Sequence, residues 1–341
     1  MRALVVLFAM CAAAQTVPDA AMQRIFRETS TPYKYGIVIP EQDGKKVDCP
    51  RVFRVHGKWY MHYVCMNEVG YETHLASSDD LLKWRPEGKV LSFGKGWDQW
   101  QADGGIALID PAWEGSYEPK KFQGKYWMSY IGGALKGYET DPLSIGMAWA
   151  RDAGRAGEWT RVASNPVLAP NQPDAREFER LTLYKSTIIW DRTNSLGQPF
   201  VMYYNAKAKN GYERIGMALS TDMVHWTRHG AGPVVANGET RQRGISGDPQ
   251  MVRMGDLWVM FYFGAGWEPK AFDTFAASYD LVHWTKWTGA HLVDPSEPWD
   301  LTYAHKPWLV KWKGTVYHFY CAVGDQGRTI AVATSRDLRK Q

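Results

Sequence analysis

Cysteine is scarce in this chain: four among 341 residues. One of them, Cys11, falls inside a segment that reads as an export signal, which leaves Cys49, Cys65 and Cys321. An odd number does not suggest a disulfide framework, and buried free thiols are the expectation. Charge of one sign is scarce as well. The net charge is only +4 and Lys and Arg form no run, so neither nucleic acid nor an anionic membrane is an expected partner. No stretch beyond the first residues is apolar for long enough to cross a bilayer, which argues against membrane insertion. Heptads, long amphipathic helices and glycine-rich phosphate loops are absent, and so are the WD40 and kelch repeat signatures.

The first residues carry Arg2, an apolar run from Ala3 to Cys11, and Ala12-Ala13-Ala14 before Gln15. Residues 1–14 therefore read as a secretory signal peptide, and the expected location is secreted or periplasmic. Met10 is larger than the position before a lipidated cysteine tolerates. The hydrophobic fraction, 45%, suffices for a sizeable core.

Aromatic residues are abundant, with 17 Trp and 18 Tyr. Most suit the pleated faces of β-sheets, and some are expected to line a groove for a flat ligand such as a sugar ring. They also mark a repeat. WYMHY (59–63), YWMSY (126–130), VMYY (201–204), WVMFY (258–262) and VYHFY (316–320) recur about every 64 residues. Each predicts a second strand. A third strand follows each time, at 74–78, 145–149, 215–220, 274–278 and 329–335, and in the first four units leads into a turn with Asp and then Trp, as in Asp222 to Trp226, while the fifth has Asp337-Leu338.

An outer strand is expected after four of these turns, at 89–91, 166–168, 233–235 and 291–293. The fifth unit has none, and the matching piece is GIVIPE (36–41) near the other end. The fold predicted is all-β: a five-bladed β-propeller over residues 15–341, one domain, its last blade closed by the N-terminal segment.

In such a ring the residues just before each first strand converge on one funnel. They are Asp48-Cys49-Pro50, Asp103-Gly104-Gly105, Tyr184-Lys185-Ser186, Gly247-Asp248-Pro249 and His305-Lys306-Pro307. A single Asp at a strand start reads equally well as a turn former. Three carboxylates at equivalent places, with a histidine and lysines, point to chemistry, because gathering ionisable groups is costly.

The strand start Asp48-Cys49-Pro50, the Gly57-Lys58-Trp59-Tyr60-Met61 strand and the Ile215–Trp226 turn resemble the five-bladed propeller glycosidases, families 43, 32, 117 and 130 and their unclassified relatives. The resemblance implies a secreted glycoside hydrolase cleaving an oligo- or polysaccharide with a carboxylate acid and base. Carried over by it, Asp48 is general base or nucleophile, although this chain has Asp-Cys-Pro where families 43 and 130 usually have Asp-Pro. Asp248-Pro249 has the adjacent form, and Asp103 is the second carboxylate. Glu179 matches the acid of family 43, and His305 matches the histidine acid of family 117. Glu72, Glu139 and Glu213 each follow a Tyr before a third strand, in loops on the active face, and read mainly as structural. Lys185 and Arg243 are expected to hold a carboxylate ionised and, together with His305, to bind substrate. Trp100 and Trp267 are candidates to stack on sugars, as are Trp97 and Trp299. No cofactor is required by the resemblance, which allows a structural Ca2+ or other cation in the central channel. Two rival readings are a family 130-like phosphorylase, using Lys185, Arg243, His305 and Lys306 for phosphate, and a non-catalytic carbohydrate-binding propeller.

Overall fold

The structure, a computed structural model, describes residues 15–157, 159–237 and 244–339. The expected signal peptide and Arg243 lie outside the described residues. A helix, α1 (Asp19–Thr29), and a strand, β1 (Tyr33–Ile39), come first. Then come β2 (Lys46–Val55), β3 (Lys58–Met66), β4 (Tyr71–Ser78) and β5 (Arg85–Leu91). The next set is β6 (Gln101–Ile106), β7 (Tyr126–Gly133), β8 (Leu143–Ala150) and β9 (Thr160–Arg161). It is followed by β10 (Thr182–Trp190), β11 (Phe200–Lys207), β12 (Glu213–Ser220) and β13 (Thr227–Arg228). After these come β14 (Ile245–Met254), β15 (Leu257–Ala265), β16 (Phe272–Ser278) and β17 (Thr285–Lys286). The last set is β18 (Tyr303–Trp312), β19 (Thr315–Gly324) and β20 (Gly327–Thr334).

The protein is all-β, and within each set consecutive strands pair antiparallel. The last set takes its outer strand from the N-terminal segment, for β1 runs antiparallel to β20 from Tyr33–Thr334 to Ile39–Ile330. The other sets join in twos through short parallel contacts, β4 to β6 and β12 to β14, so the described strands form three sheets. The expected outer strands at 166–168, 233–235 and 291–293 shrink to single bridges, Ile145–Leu168, Ile215–Val235 and Asp273–Val293. Pro166 and Pro233 lack the N–H a continuous ladder needs. The pairing shifts instead to the two-residue strands β9, β13 and β17.

The tyrosine that ends each second-strand repeat has one recurring job. Tyr63 donates to Gln42 at 3.0 Å, Tyr130 to Asp98 at 3.0 Å, Tyr204 to Glu179 at 2.6 Å and Tyr320 to Asp300 at 2.8 Å, while Tyr262 accepts from Asn237 at 2.9 Å. The partner always lies in the segment that enters the first strand of its own set. Where it is an acid, a cation from the outer strand completes the clamp: Arg161 on Asp98, Arg228 on Glu179, and Lys34 of β1 on Asp300. A buried carboxylate persists only when so partnered. The Asp-to-Trp turns repeat as well. Asp80 Oδ1 accepts from the Leu82 and Lys83 amides, and the Trp84 indole donates to the Leu81 carbonyl, with the same bonds around Asp222 and Asp280.

Helix α1 is not legible in the strand repeat. It buries Met22 and Ile25 from one face against Val252, Val259, Phe275 and Leu309. Among the described residues no helix is long and apolar enough to cross a membrane. All three described cysteines are buried free thiols, as expected.

Candidate active site

Because strands alternate in direction, the first and third strands of a set begin at the same end of the sheet. Both kinds of strand start deliver side chains to one funnel-like cluster, in which Asp48 meets Lys306 and Arg328 and Asp103 meets Lys185. The first strands enter it through β-bulges at Asp48–Arg51, Leu183–Ser186, Gly247–Gln250 and His305–Trp308. In three of them the residue inside the bulge takes a left-handed backbone: Cys49 (φ 57°), Asp248 (φ 51°) and Lys306 (φ 64°). The bulges correct one sequence equivalence. Asp48 matches Gly247 and His305 by register, whereas Asp248 matches Cys49 and Lys306.

Asp48 is fully buried and heavily engaged. One oxygen accepts from Lys306 Nζ at 3.0 Å, Arg328 Nη1 at 2.8 Å and Tyr138 Oη at 3.3 Å, and the other from the Cys49 amide at 2.8 Å. Burial works to raise its pKa, but the Lys306 and then the Arg328 charge prevail and hold it well below the usual carboxylate range. Lys306 also reaches Glu139 at 3.2 Å. Beside this cluster Lys185 pairs with Asp103 at 2.6 Å and approaches the Cys49 carbonyl at 3.4 Å. The Cys49 thiol lies 3.9 Å from Asp248 and 3.5 Å from Lys306, and burial pushes it up.

Among the described residues, Asp248 and Glu213 are carboxyl groups of the funnel that are shifted upwards. Burial raises Asp248 to about 6, with Lys306 and Lys185 opposing and Glu139 and Asp103 adding to the rise. Burial raises Glu213 to about 7, opposed by a 3.0 Å hydrogen bond from Asn205 Nδ2 and helped by the nearby Glu139. The funnel therefore holds firmly ionised and partly protonated carboxyl groups together, the split that acid–base chemistry requires.

The structure thus brings together Asp48, Asp103, Asp248, Lys185 and His305 of the expected set. Glu179 is not among them. It is the fully buried acid of the third tyrosine clamp, held by Tyr204, Arg176 at 3.2 Å and Arg228 at 2.7 Å. His305 has a pKa lowered to about 3, by burial first and the Arg328 charge next, so its ring is neutral near pH 7 and is no proton donor there. Its Nδ1 faces the Cys321 carbonyl at 3.3 Å, and with Lys306 and Arg328 alongside, this donor set does not suit a central cation.

Trp100 is half-buried with Phe93 against its ring and Lys136 over it, and Trp267 packs on Phe272 while donating to the Ile245 carbonyl. Large apolar side chains exposed near the funnel are instead Tyr138, 46% exposed, and Tyr303, 41% exposed. The repeated Tyr-Glu pairs also separate. Glu72 turns to Lys89 at 2.6 Å, whereas Glu139 and Glu213 enter the funnel. Arg328, the second residue of β20, was not anticipated. The signal for it was the third-strand start, which shares the funnel with the first.

No family model matches the sequence. Two solved structures, an RGII complex of BT0996 and a glycoside hydrolase, are each 46% identical to this protein. Each covers 95% of this sequence and 97% of its own, with a TM-score of 0.90. A thermostable family-43 glycoside hydrolase shares the fold at 14% identity and TM-score 0.63, over 88% of this sequence and 91% of its own. A curated relative, 1,2-beta-oligomannan phosphorylase of Thermoanaerobacter sp. (strain X514), is 31% identical over 148 residues, 40% of this sequence. The matched region spans about half the length of that relative, 46%. With near-complete coverage at 46% identity, this protein belongs to the propeller-type glycoside hydrolases.

Proposed function

We propose that this protein hydrolyses a glycosidic bond in an oligosaccharide, with Glu213 as general acid and Glu139 as the second carboxylate. The observation that carries the roles is the contrast between these two groups in one funnel. Glu213 is buried, accepts from Asn205, and has a pKa of about 7, so it keeps a proton for the leaving oxygen near neutral pH. Glu139 is ion-paired to Lys306 and its side chain is 28% exposed, against 0% for Asp48 and 5% for Asp103. An open carboxylate can activate water or attack the anomeric carbon. Asp48, with both oxygens occupied, is placed to anchor Lys306 and Arg328 instead. Asp103 and Asp248 tune the charge, and Tyr138 and Tyr303 offer faces for sugar rings.

The complex at 46% identity supports an RGII oligosaccharide as the substrate to try first. We read the strand sets as five blades of one closed domain over residues 15–341, β1 closing the last, in a protein exported after loss of residues 1–14. A phosphorylase is the second reading, favoured by the 31% identical relative and by the cations Lys185, Lys306 and Arg328. The test is to incubate purified protein with RGII-derived and other oligosaccharides, with and without phosphate, and to identify the products. Free sugar independent of phosphate supports hydrolysis, and sugar phosphate supports the second reading. Tight binding without any product would leave a carbohydrate-binding propeller.

A further inference from the structure

Arg51 follows the bulge of β2 and is 2% exposed. Its guanidinium reaches the first strands of three other sets. Nη2 donates to the Ser186 carbonyl of β10 at 2.6 Å, Nη1 donates to the Ile106 carbonyl of β6 at 3.3 Å, and the group lies 5.1 Å from the ring centroid of Trp308 in β18. Ile106 and Trp308, which it touches, also line a small cavity together with Ile188 of β10 and Gln250 and Val252 of β14, as well as Asp110 and Tyr117. Arg51 therefore stands on the axis between the funnel and the channel interior.

The sequence makes room for it. A Cβ on Gly105 would come within 2.4 Å of the Arg51 Cζ and Nε. An isolated buried cation is very costly. Here two carbonyls, the Trp308 face and the charges of Asp103 and Asp248 offset that cost. A divalent ion on the same axis would meet a positive charge that persists near neutral pH, since burial lowers the Arg51 guanidinium only to about 10.

We propose that Arg51 is the resident cation of the central channel, a positioning residue that fixes the funnel floor beneath Asp103 and Asp248 and fills the place a channel metal would take. Only the activity readout of this inference rests on the glycosidase reading.

The test uses the whole protein and the variants Arg51→Lys, Arg51→Met and Gly105→Ala. Melting temperature is read with EDTA and with millimolar Ca2+, and kcat/KM is read against pH on a confirmed substrate. Wild-type melting should be the same in EDTA and Ca2+. Arg51→Met and Gly105→Ala should each melt several degrees lower. The groups facing Arg51 are Asp103, Asp248, the Cys49 thiol, and His62 of β3, with Lys185 beside His62. Losing the positive charge beside Asp248, which itself acts on Glu213, should move the pH profile of Arg51→Met upwards by about half a unit or more. Arg51→Lys should keep the wild-type profile while melting lower.

A Ca2+-dependent rise in wild-type melting would overturn the proposal, because the channel would then take a metal despite Arg51. Arg51→Met with an unshifted profile would reduce Arg51 to packing, and Gly105→Ala with unchanged melting would contradict its placement. Should Arg51→Met fail to fold, Arg51→Lys and the metal arms still decide. If no substrate is found, the glycosidase reading suffers and the melting arms stand.

Discussion

Replacing Asp48 by Asn tests the anchor directly. The change keeps the shape and one carbonyl acceptor, but removes the charge that faces Lys306 at 3.0 Å and Arg328 at 2.8 Å. Both cations then remain in the buried cluster without their main partner. Breaking a buried pair from one side costs about 3–5 kcal/mol, and the retained acceptor places this variant near the lower end. For a protein of this size that is a fall in melting temperature of roughly 4–7 °C.

The pH dependence follows from the direction of the shift. The folded carboxyl titrates below its unfolded value. Its contribution is therefore complete above an unfolded pKa of about 4 and is lost as pH falls through the folded value. Melting curves at pH 5 to 8 should show a constant gap between wild type and Asp48→Asn, narrowing only in stronger acid. A variant that melts within about 2 °C of wild type across that range would refute the anchor role, since about 3 kcal/mol cannot shift melting so little.

Three further outcomes are expected. Deleting residues 15–43 removes β1 and α1, bares the edge of β20 and uncovers Val252, Val259 and Leu309, so the product should aggregate or lose most of its thermal stability. An unchanged melting temperature would place the closing strand elsewhere. Tyr204→Phe should cost about 1–3 kcal/mol by leaving Glu179 one donor short, with kcat/KM unchanged, and a large loss of kcat/KM in the folded variant would return Glu179 to the active site. N-terminal sequencing of exported protein should find a new terminus near Gln15, and an intact Met1 would contradict the export signal.

The second and third strands of every set were legible because one aromatic repeat marks them. The reason for the repeat, a tyrosine bonded to the segment entering the first strand, is tertiary and became visible only with Gln42, Asp98, Glu179, Asn237 and Asp300 in place. The same clamp explains why Glu179 resembled an acid in sequence. A carboxylate before a strand looks alike whether it faces the funnel or two arginines. Asp48, Asp103 and Asp248 were found from strand starts, but the bulges moved Asp248 one place out of register with Asp48. Glu139, Glu213 and Arg328 come from third-strand starts, whose approach to the funnel depends on alternating strand direction rather than on any local motif. Helix α1 was hidden because its short apolar face has no partner within the repeat.

The pH profile of kcat/KM for wild type and Glu213→Gln on one confirmed substrate decides whether Glu213 is the proton donor. A general acid must be protonated, so wild-type activity should fall as pH rises through about 7, the value burial gives Glu213. Glu213→Gln should lose at least ~10²-fold in kcat/KM, and its residual activity should lack that basic limb. If Glu213→Gln keeps wild-type activity, or shows the same basic limb, the proton comes from another group and the assignment is wrong.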